Sequence, residues 1–221
     1  MAIINKPSDY FNTKIYTGNG ASGQSITGVN FQPDWTWIKY STTASYGNYL
    51  FDSVRGATKS LSSNADTLEA TESASLTAFG SDGFTLGSFA GTNENSGTFV
   101  AWNWKAGTSV SGTTGGSGTS KAYSGSVNTD AGFSIITYVA NGTAGHTIPH
   151  HLGVAPKMVI CKSRSENRGW PVQHASLTSA AYTIFLSTTG AQSNGTNSWN
   201  STAASSSVVT LGNNANNNKD G

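Results

Sequence analysis

The hydrophobic residues of this chain occur in short runs that alternate with clusters of Gly, Asn, Ser and Asp. The runs are rich in Val, Ile, Thr, Phe, Tyr and Trp, which favour β-strands, and the clusters are typical of turns. Strands are predicted at residues 11–17, 35–40, 49–52, 98–105, 133–139, 157–162 and 182–187. Residues 68–78 are the one stretch rich enough in Ala, Glu and Leu to suggest a helix, but interrupting Thr and Ser favour a loop or strand. The pattern predicts an all-β protein with antiparallel sandwiches.

The second half of the chain repeats the pattern of the first half. Residues 16–39 match residues 138–162 at an offset of 122, which becomes 123 after one inserted residue. Farther along, Phe-Thr-Leu-Gly at 84–87 returns as Val-Thr-Leu-Gly at 209–212. A repeat of this length is too long for a solenoid or propeller blade and matches the size of an independent domain.

The repeat predicts two tandem antiparallel β-sandwich domains, jelly-roll-like, at residues 1–106 and 129–221. Residues 107–128 are rich in Gly, Ser and Thr, and this composition predicts a flexible linker between the domains. The alternative is that the larger apolar residues of the segment anchor it to a neighbouring surface. These residues are Val110, Tyr123 and Val127.

The second repeat is expected to lack its last strand. In the first repeat, Asn93 is followed by the apolar and aromatic run 98–107, whereas the corresponding Asn218 lies close to the end of the sequence. A missing strand would leave peptide groups unpaired and an apolar strip exposed. Two explanations are open: the chain is a fragment of a longer protein, which is favoured, or a neighbouring subunit donates the strand.

The composition of the chain argues against several classes of function, including nucleic-acid binding and membrane insertion. Charged residues make up 10% of the chain and the net charge is +1, which provides no electrostatic footprint for nucleic acid. The N-terminus lacks the apolar segment of a signal peptide, and no run is apolar enough for a membrane span, so neither export by the signal-peptide route nor membrane insertion is expected. Cys161 is the single cysteine and lies in an apolar run, which predicts a buried, inert thiol and no intrachain disulfide.

Four spaced motifs follow one another in the first repeat. They are Phe31-x-Pro33-Asp34-x-x-Trp37-Ile38-Lys39, Asp52-Ser53-Val54-Arg55-Gly56, Ser81-Asp82-Gly83-Phe84 and Val100-Ala101-Trp102-Asn103-Trp104. Together they resemble a repeated domain of unknown function found in bacteriophage structural proteins, especially tail-fibre and appendage proteins of marine phages. The resemblance covers residues 10–107 and, more weakly, 132–221.

This resemblance implies a virion protein that is assembled in the host cytoplasm and exposed on the particle exterior. Its expected role is assembly of a tail fibre or another appendage, together with adhesion to the host surface. The expected partners are other copies of the chain, with a trimer favoured because phage fibres are commonly threefold, other virion proteins, and a host-cell glycan. A stand-alone carbohydrate-binding module is the alternative.

Tryptophans supply the candidate ligand contacts. Trp170 and Trp199 lie in polar, loop-like surroundings, where a ring without a local apolar partner is expected to meet a ligand. With His174 they form the predicted glycan or receptor contact. The remaining indoles share strand faces in pairs and are expected to be core or interface residues, with carbohydrate stacking as the alternative. These pairs are Trp35 with Trp37 and Trp102 with Trp104.

Asp52 and Arg55 are the sharpest polar pair in a chain poor in charge. We predict a structural ion pair that holds a loop at a strand end, with ligand binding by Arg55 as the alternative. The second repeat lacks this pair, and the corresponding region, residues 170–174, reads Trp-Pro-Val-Gln-His.

Metal binding and catalysis are not expected. His146, His150 and His151 fall within six residues, but no Cys or carboxylate lies beside them, so they are predicted to be turn and surface residues. A metal shared at a symmetry axis remains the alternative. The carboxylates are scattered, and no helix is predicted that could support a nucleophile elbow. We therefore expect no enzyme activity, no cofactor and no metal site.

Overall fold

The structure is a computed structural model that describes residues 4–43, 46–195 and 197–220. Residues 1–3, which begin the first predicted domain, and residue 221, which ends the second, lie outside the described residues. Eighteen strands and two short helical segments make up the described secondary structure, and all of the strand pairs are antiparallel. The all-β prediction is confirmed. The arrangement as tandem jelly-roll-like sandwiches stays a prediction.

The chain divides into two compact units, which are described separately. The N-terminal unit comprises the described residues of 4–65 together with Glu69–Gly107. The C-terminal unit comprises Asp66–Leu68 and the described residues of 108–220.

The N-terminal unit contains nine strands. A single 3₁₀ turn at Pro7–Asp9 precedes them, and one short helix, α1, spans Ala90–Asn93. The strands are β1 Phe11–Thr17, β2 Gln24–Ile26, β3 Trp35–Tyr40, β4 Asn48–Asp52, β5 Lys59–Ser62, β6 Ala70–Thr71, β7 Leu76–Gly80, β8 Gly83–Leu86 and β9 Thr98–Trp104. Residues 68–78 contain strand and loop but no helix, as the interrupting Thr and Ser predicted.

Two sheets of this unit share one hydrophobic core. The first has six strands in the order β1-β9-β3-β4-β5-β6, and the second has three in the order β2-β8-β7. In β3, Thr36, Ile38 and Tyr40 are buried while the alternate residues are half-buried, as the two-residue period of a strand requires. The core consists of Tyr16, Ile26, Ile38, Tyr40, Phe51, Leu76, Phe84, Leu86, Phe99 and Ala101.

The C-terminal unit also contains nine strands, which are shorter on average. They are β10 Thr108–Thr113, β11 Gly115–Gly116, β12 Ala122–Asn128, β13 Phe133–Tyr138, β14 His146–Pro149, β15 Met158–Ile160, β16 Pro171–His174, β17 Ile184–Phe185 and β18 Val208–Leu211. Three three-stranded sheets result, with the orders β10-β12-β13, β11-β14-β18 and β15-β16-β17. A small core forms from Ile148, Trp199, Val209 and Leu211.

The prediction of a flexible linker at 107–128 is wrong, because most of this segment is strand. β10 and β12 pair over six residues, and β12 pairs in turn with β13. Tyr123 and Val127 are buried, at 9% and 3% exposure, so the apolar side chains anchor the segment. The peptide hydrogen bonds of the ladder add stability that Gly/Ser/Thr composition does not reveal.

The edge of β13 that corresponds to the β9 edge of β1 has no strand partner among the described residues. β1 bonds to β9 through its even-numbered residues, since the Lys105 N–H donates to the Tyr10 oxygen. β13 aligns with β1 at an offset of 122 but bonds to β12 through its odd-numbered residues, since the Val139 N–H donates to the Ala122 oxygen. β12 therefore lies at the opposite edge and does not replace β9. That the second repeat lacks its last strand stays a prediction.

Candidate functional site

Arg55 is the centre of a buried charge cluster in the N-terminal unit. Its Nε lies 2.5 Å from Asp52 Oδ2, and one terminal nitrogen lies 3.0 Å from Glu69 Oε2. The guanidinium also donates to the backbone oxygens of Lys59 and Leu50, each at 3.1 Å. The Arg55 side chain is only 4% exposed, so its donors are directed at protein acceptors and the cluster has a structural geometry.

Asp52 contributes a second contact that fixes the turn. Its other carboxylate oxygen accepts a hydrogen bond from the Arg55 backbone N–H at 2.8 Å. Sequence reasoning identified Asp52 and Arg55 but missed Glu69, which lies in a polar stretch with no motif around it. No sequence signal pointed to Glu69, because its approach to Arg55 depends on how β5 and β6 pair.

A neutral amide holds a loop in the corresponding region of the C-terminal unit. Gln173, in β16, is 7% exposed, and its Nε2 donates to the backbone oxygen of Thr202 at 2.9 Å. Its Oε1 accepts from the backbone N–H of Ala204 at 3.2 Å. This unit therefore ties a loop to a strand without burying a charge.

An asparagine amide joins three segments of the N-terminal unit. Asn93 is fully buried, and its Nδ2 donates to the backbone oxygens of Gly87 at 2.7 Å and Ala21 at 2.9 Å, and to Asn19 Oδ1 at 3.2 Å. Its Oδ1 accepts from the Asn19 backbone N–H at 2.9 Å. We call this arrangement the asparagine junction.

The C-terminal unit has its own asparagine junction at Asn218. The Nδ2 atom donates to the backbone oxygens of Gly212 at 2.6 Å and Thr143 at 2.9 Å, and Oδ1 accepts from Asn141 N at 3.2 Å. His146 Nδ1 lies 3.1 Å from the same Oδ1. The matching residues are those that the internal repeat aligns, so the repeated Asn-Gly and Leu-Gly pairs have a shared structural reason.

The histidines of the C-terminal unit are mostly interior, which corrects the expectation of surface residues. His146 is fully buried, with its second ring nitrogen 2.7 Å from Thr114 Oγ1. His150 is 5% exposed, accepts the Leu152 N–H at Nδ1 and contacts the Ser205 backbone oxygen through Nε2 at 3.1 Å. Burial of these two rings is tolerated because each ring nitrogen has a polar partner.

The hydrogen bonds determine the protonation of His150. A ring nitrogen that accepts from a backbone N–H carries no proton, so Nε2 carries it and donates to Ser205. Burial lowers the pKa of His150; the bond to Ser205 opposes this, and the neighbouring His151 adds to it. The neutral ring is therefore the form that the fold stabilises.

Trp170 and Trp199 are buried, at 4% and 1% exposure, so the expectation that their rings are exposed in loops is wrong. Trp199 packs with Ile148, Val209 and Leu211. The Trp170 ring lies 5.8 Å from Lys162 Nζ. Their polar sequence neighbours concealed apolar partners that are distant in the chain. The burial removes the argument on which both rings were chosen as glycan contacts.

His174 is the more accessible residue of that predicted trio. It ends β16 half-buried, accepts the Ser176 N–H at its Nδ1 and lies opposite Met158, which is 49% exposed. Trp199 belongs to the small core with Ile148, Val209 and Leu211, and His174 is not a member of that core.

The four remaining strand tryptophans form one aromatic layer on the outer face of the six-stranded sheet. β3 and β9 pair so that Trp35 lies opposite Trp104 and Trp37 opposite Trp102. Ring centroids are 4.6 Å apart in the first pair and 6.2 Å in the second. All four rings are half-buried, which agrees with a packed layer.

Burial shifts the pKa values of the adjacent residues Cys161 and Lys162 in opposite directions. Burial raises the pKa of the Cys161 thiol to about 12, although a hydrogen bond from Tyr138 acts in the opposite direction. Cys161 is half-buried rather than fully buried, and its thiol is unreactive at neutral pH. Burial lowers the pKa of Lys162 to about 8, while Asp66 raises it.

The described residues were also compared with the requirements of a metal site and of a membrane-spanning helix. In the part of the chain that the structure describes, no group of three or more His, Cys, Asp or Glu side chains could hold a metal ion. Within the same residues, no helix has the length and apolar character to cross a bilayer. The expectation of no enzyme activity stays a prediction.

A long strand edge is exposed in the C-terminal unit. β10 pairs with β12 on one side, and five of its six residues are exposed. Its sequence, TSVSGT, contains no charge and no proline. Proteins usually protect such edges with lysine, proline, bulges or short strands, so β10 has the character of an interaction edge.

The chain belongs to the family described as Domain of unknown function (DUF7483), whose model matches residues 6–221. The match spans both compact units. No curated protein and no solved structure matches the chain.

Proposed function

We propose that this protein is a structural component of a bacteriophage virion, in a tail fibre or another external appendage. It assembles there with copies of itself and with other virion proteins, and it contacts an uncharged glycan on the host surface. The exposed β10 edge is the observation that carries the assembly role, because an unprotected edge favours strand pairing between chains.

The charge-poor surface supports the same proposal. With 10% charged residues, exposed positions are filled by Ser, Thr, Asn and Gly, which hydrogen-bond to sugars and to protein partners without long-range steering. The resemblance of the motifs at 31–104 to phage appendage domains supplies the biological setting.

Gold-labelled antibodies against the purified chain test the virion role on particles of the phage that encodes it. We expect label on the tail or an appendage, and loss of label when the antibody is first absorbed with purified chain. Label absent from particles, while the same antibody detects the chain in the lysate, would contradict the proposal.

A glycan array tests the adhesion role separately. We expect binding to uncharged glycans that persists at high salt, because no ion pair contributes. His174→Ala should weaken it, whereas Ile15→Ala, at a 73% exposed position of the N-terminal unit, should not. An array without any bound glycan would remove adhesion and leave assembly as the function.

The stand-alone carbohydrate-binding module remains the second candidate. Burial of Trp170 and Trp199 weakens it, because such modules use exposed aromatic faces for stacking. Glycan binding together with no label on particles is the outcome that would favour it.

A further inference from the structure

Three edge strands in the described residues are long enough to pair with another chain: β1, β10 and β13, of seven, six and six residues. The other edge strands have five residues or fewer. β13 is half-buried along its whole length, whereas β10 is largely exposed. Fully exposed residues therefore occur in β1 and β10 and not in β13.

The ladder shows which peptide groups of β10 face outward. One position beyond the strand, the Thr114 N–H donates to the Lys121 oxygen across the β10–β12 ladder. Hydrogen-bonded pairs alternate along an antiparallel ladder, so alternate residues from Thr114 backwards bond to β12. The residues whose N–H and C=O groups point away from the sheet are Ser109, Ser111 and Thr113.

β1 is blocked in two ways that β10 is not. The Lys105 N–H donates to the Tyr10 oxygen, so the outward groups of β1 belong to the odd-numbered residues, and a symmetric self-pairing would place Lys14 opposite Lys14. Like charges directly opposite destabilise a strand pair. The outward N–H of Thr13 also has a partner already, since it donates to Asn12 Oδ1 at 2.9 Å.

We propose that β10 is the self-association strand and that its partner is β10 of a second copy of this chain. The two strands run antiparallel about a two-fold axis at Ser111, which joins two three-stranded sheets into one sheet. In this register Ser111 faces Ser111 of the second copy, and Ser109 faces its Thr113. All of the outward peptide groups of both strands are then paired, and no charge is opposed.

This inference deepens the proposed assembly function and rests on it. Antiparallel self-pairing of one strand is isologous, so it produces a two-fold dimer rather than the three-fold assembly that the phage resemblance implies. Val110 lies opposite Gly112 of the second copy in this register, and the Tyr123 ring lies against Gly112 within one chain. On that face the new pair therefore sets Val110 against a residue without a side chain, with the Tyr123 ring beside it.

The purified full chain tests the proposal by sedimentation at several concentrations. We expect a dimer for the natural chain, and Ser111→Lys should raise the dimer dissociation constant about tenfold or more, because two ammonium groups would face each other. Ile15→Lys is the matched control, since it places the same charge at an exposed outward position of β1. A trimer, a monomer, or a dimer unchanged by Ser111→Lys would overturn the proposal.

Ser111→Cys gives a second, independent readout if the lysine variant fails to fold. Hydrogen-bonded cross-strand partners have Cα atoms roughly 5.5 Å apart, within reach of a disulfide, so oxidation should cross-link Ser111→Cys. Ser109→Cys should not cross-link, because it faces Thr113. The half-buried Cys161, with a pKa raised to about 12, adds little background. Cross-linking of both variants, or of neither, would exclude the register.

The two proposals can fail separately. A chain that is monomeric in solution and labels phage tails removes β10 pairing and keeps the virion role. A Ser111-centred dimer with no label on particles removes the virion role and keeps the self-association strand.

Discussion

The aligned strands β1 and β13 are paired along opposite edges in the two units. In the N-terminal unit, β1 bonds to β9 through its even-numbered residues, and nearly the whole unit lies between the two strands in the chain. In the C-terminal unit, β13 bonds to β12 through its odd-numbered residues, and four residues separate the two strands. The hairpin costs less loop-closure entropy than the distant pairing. It leaves the edge of β13 that corresponds to the β9 edge without a strand partner among the described residues.

The units also differ in how they hold a loop against a strand. The N-terminal unit buries Arg55 between Asp52 and Glu69, whereas the C-terminal unit uses the neutral amide of Gln173. A buried charge needs every partner in place, but an amide needs only two hydrogen bonds. The N-terminal unit should therefore be the more sensitive of the two to loss of one side chain.

Arg55→Met should have the largest effect on this comparison. It leaves Asp52 and Glu69 buried without their cation, and we expect a loss of about 4 kcal/mol in the free energy of unfolding, measured by urea denaturation. Arg168→Met is the matched control in the C-terminal unit. Its ion pair with Glu166 is about one-third exposed, so it should cost less than about 1 kcal/mol. Equal losses would contradict the asymmetry.

The asparagine junctions should show a smaller difference. Asn93→Asp replaces a donor to three oxygens with an acceptor and should cost about 3 kcal/mol. Asn218→Asp affects two backbone oxygens and should cost about 2 kcal/mol. Thermal unfolding measures both, and Asn194→Asp in an exposed loop should have little effect. An Asn93→Asp variant as stable as the natural chain would refute the structural role of the asparagine junction.

Leu76 and Trp199 are at matching positions, because each follows the serine whose oxygen accepts from the aligned Gly87 or Gly212 N–H. Trp199→Leu therefore gives the C-terminal core the residue that the N-terminal core has there. We expect a cost of about 2 kcal/mol from lost apolar burial, reduced because the buried Trp199 Nε1 has no hydrogen-bond partner among the described residues. Glycan binding, if present, should be unchanged. Lost binding with unchanged stability would restore Trp199 as a ligand contact.

Between about pH 7 and about pH 5, acid sensitivity should be the smallest difference and should be confined to the C-terminal unit, which contains all four histidines. The pKa of His150 is lowered in the folded state, so the neutral ring contributes stability above the ordinary histidine pKa of roughly 6.5. This contribution is lost as the pH falls from that value through the lowered pKa.

Hydrogen exchange of the two units between about pH 7 and about pH 5 measures this effect. We expect protection to fall around Ser205 and Leu152 after correction for intrinsic exchange, and His150→Gln should reduce the change. His174→Gln, at a half-exposed ring, is the control. Equal acid sensitivity in the N-terminal unit would argue against His150 as the cause.

The sequence indicated several residues of the candidate site but did not indicate which distant residues surround them. Asp52 and Arg55 are close in sequence and charged in a charge-poor chain, so their pairing could be anticipated. Glu69 could not, because its approach to Arg55 depends on how β5 and β6 pair. The burial of Trp170 and Trp199 was not predicted, because the residues that cover the two rings are distant in the chain.

The all-β class was predictable from the sequence, because a two-residue hydrophobic period and turn residues act locally. The sequence also determined the shared asparagine junctions, since the internal repeat aligns Asn93 with Asn218 and Gly87 with Gly212. Tertiary pairing, in contrast, was needed to show that the segment 107–128 forms strands and that β12 lies beside β13. Those strands depend on peptide hydrogen bonds to distant segments, and peptide groups are the same in every residue, so composition does not record where they pair.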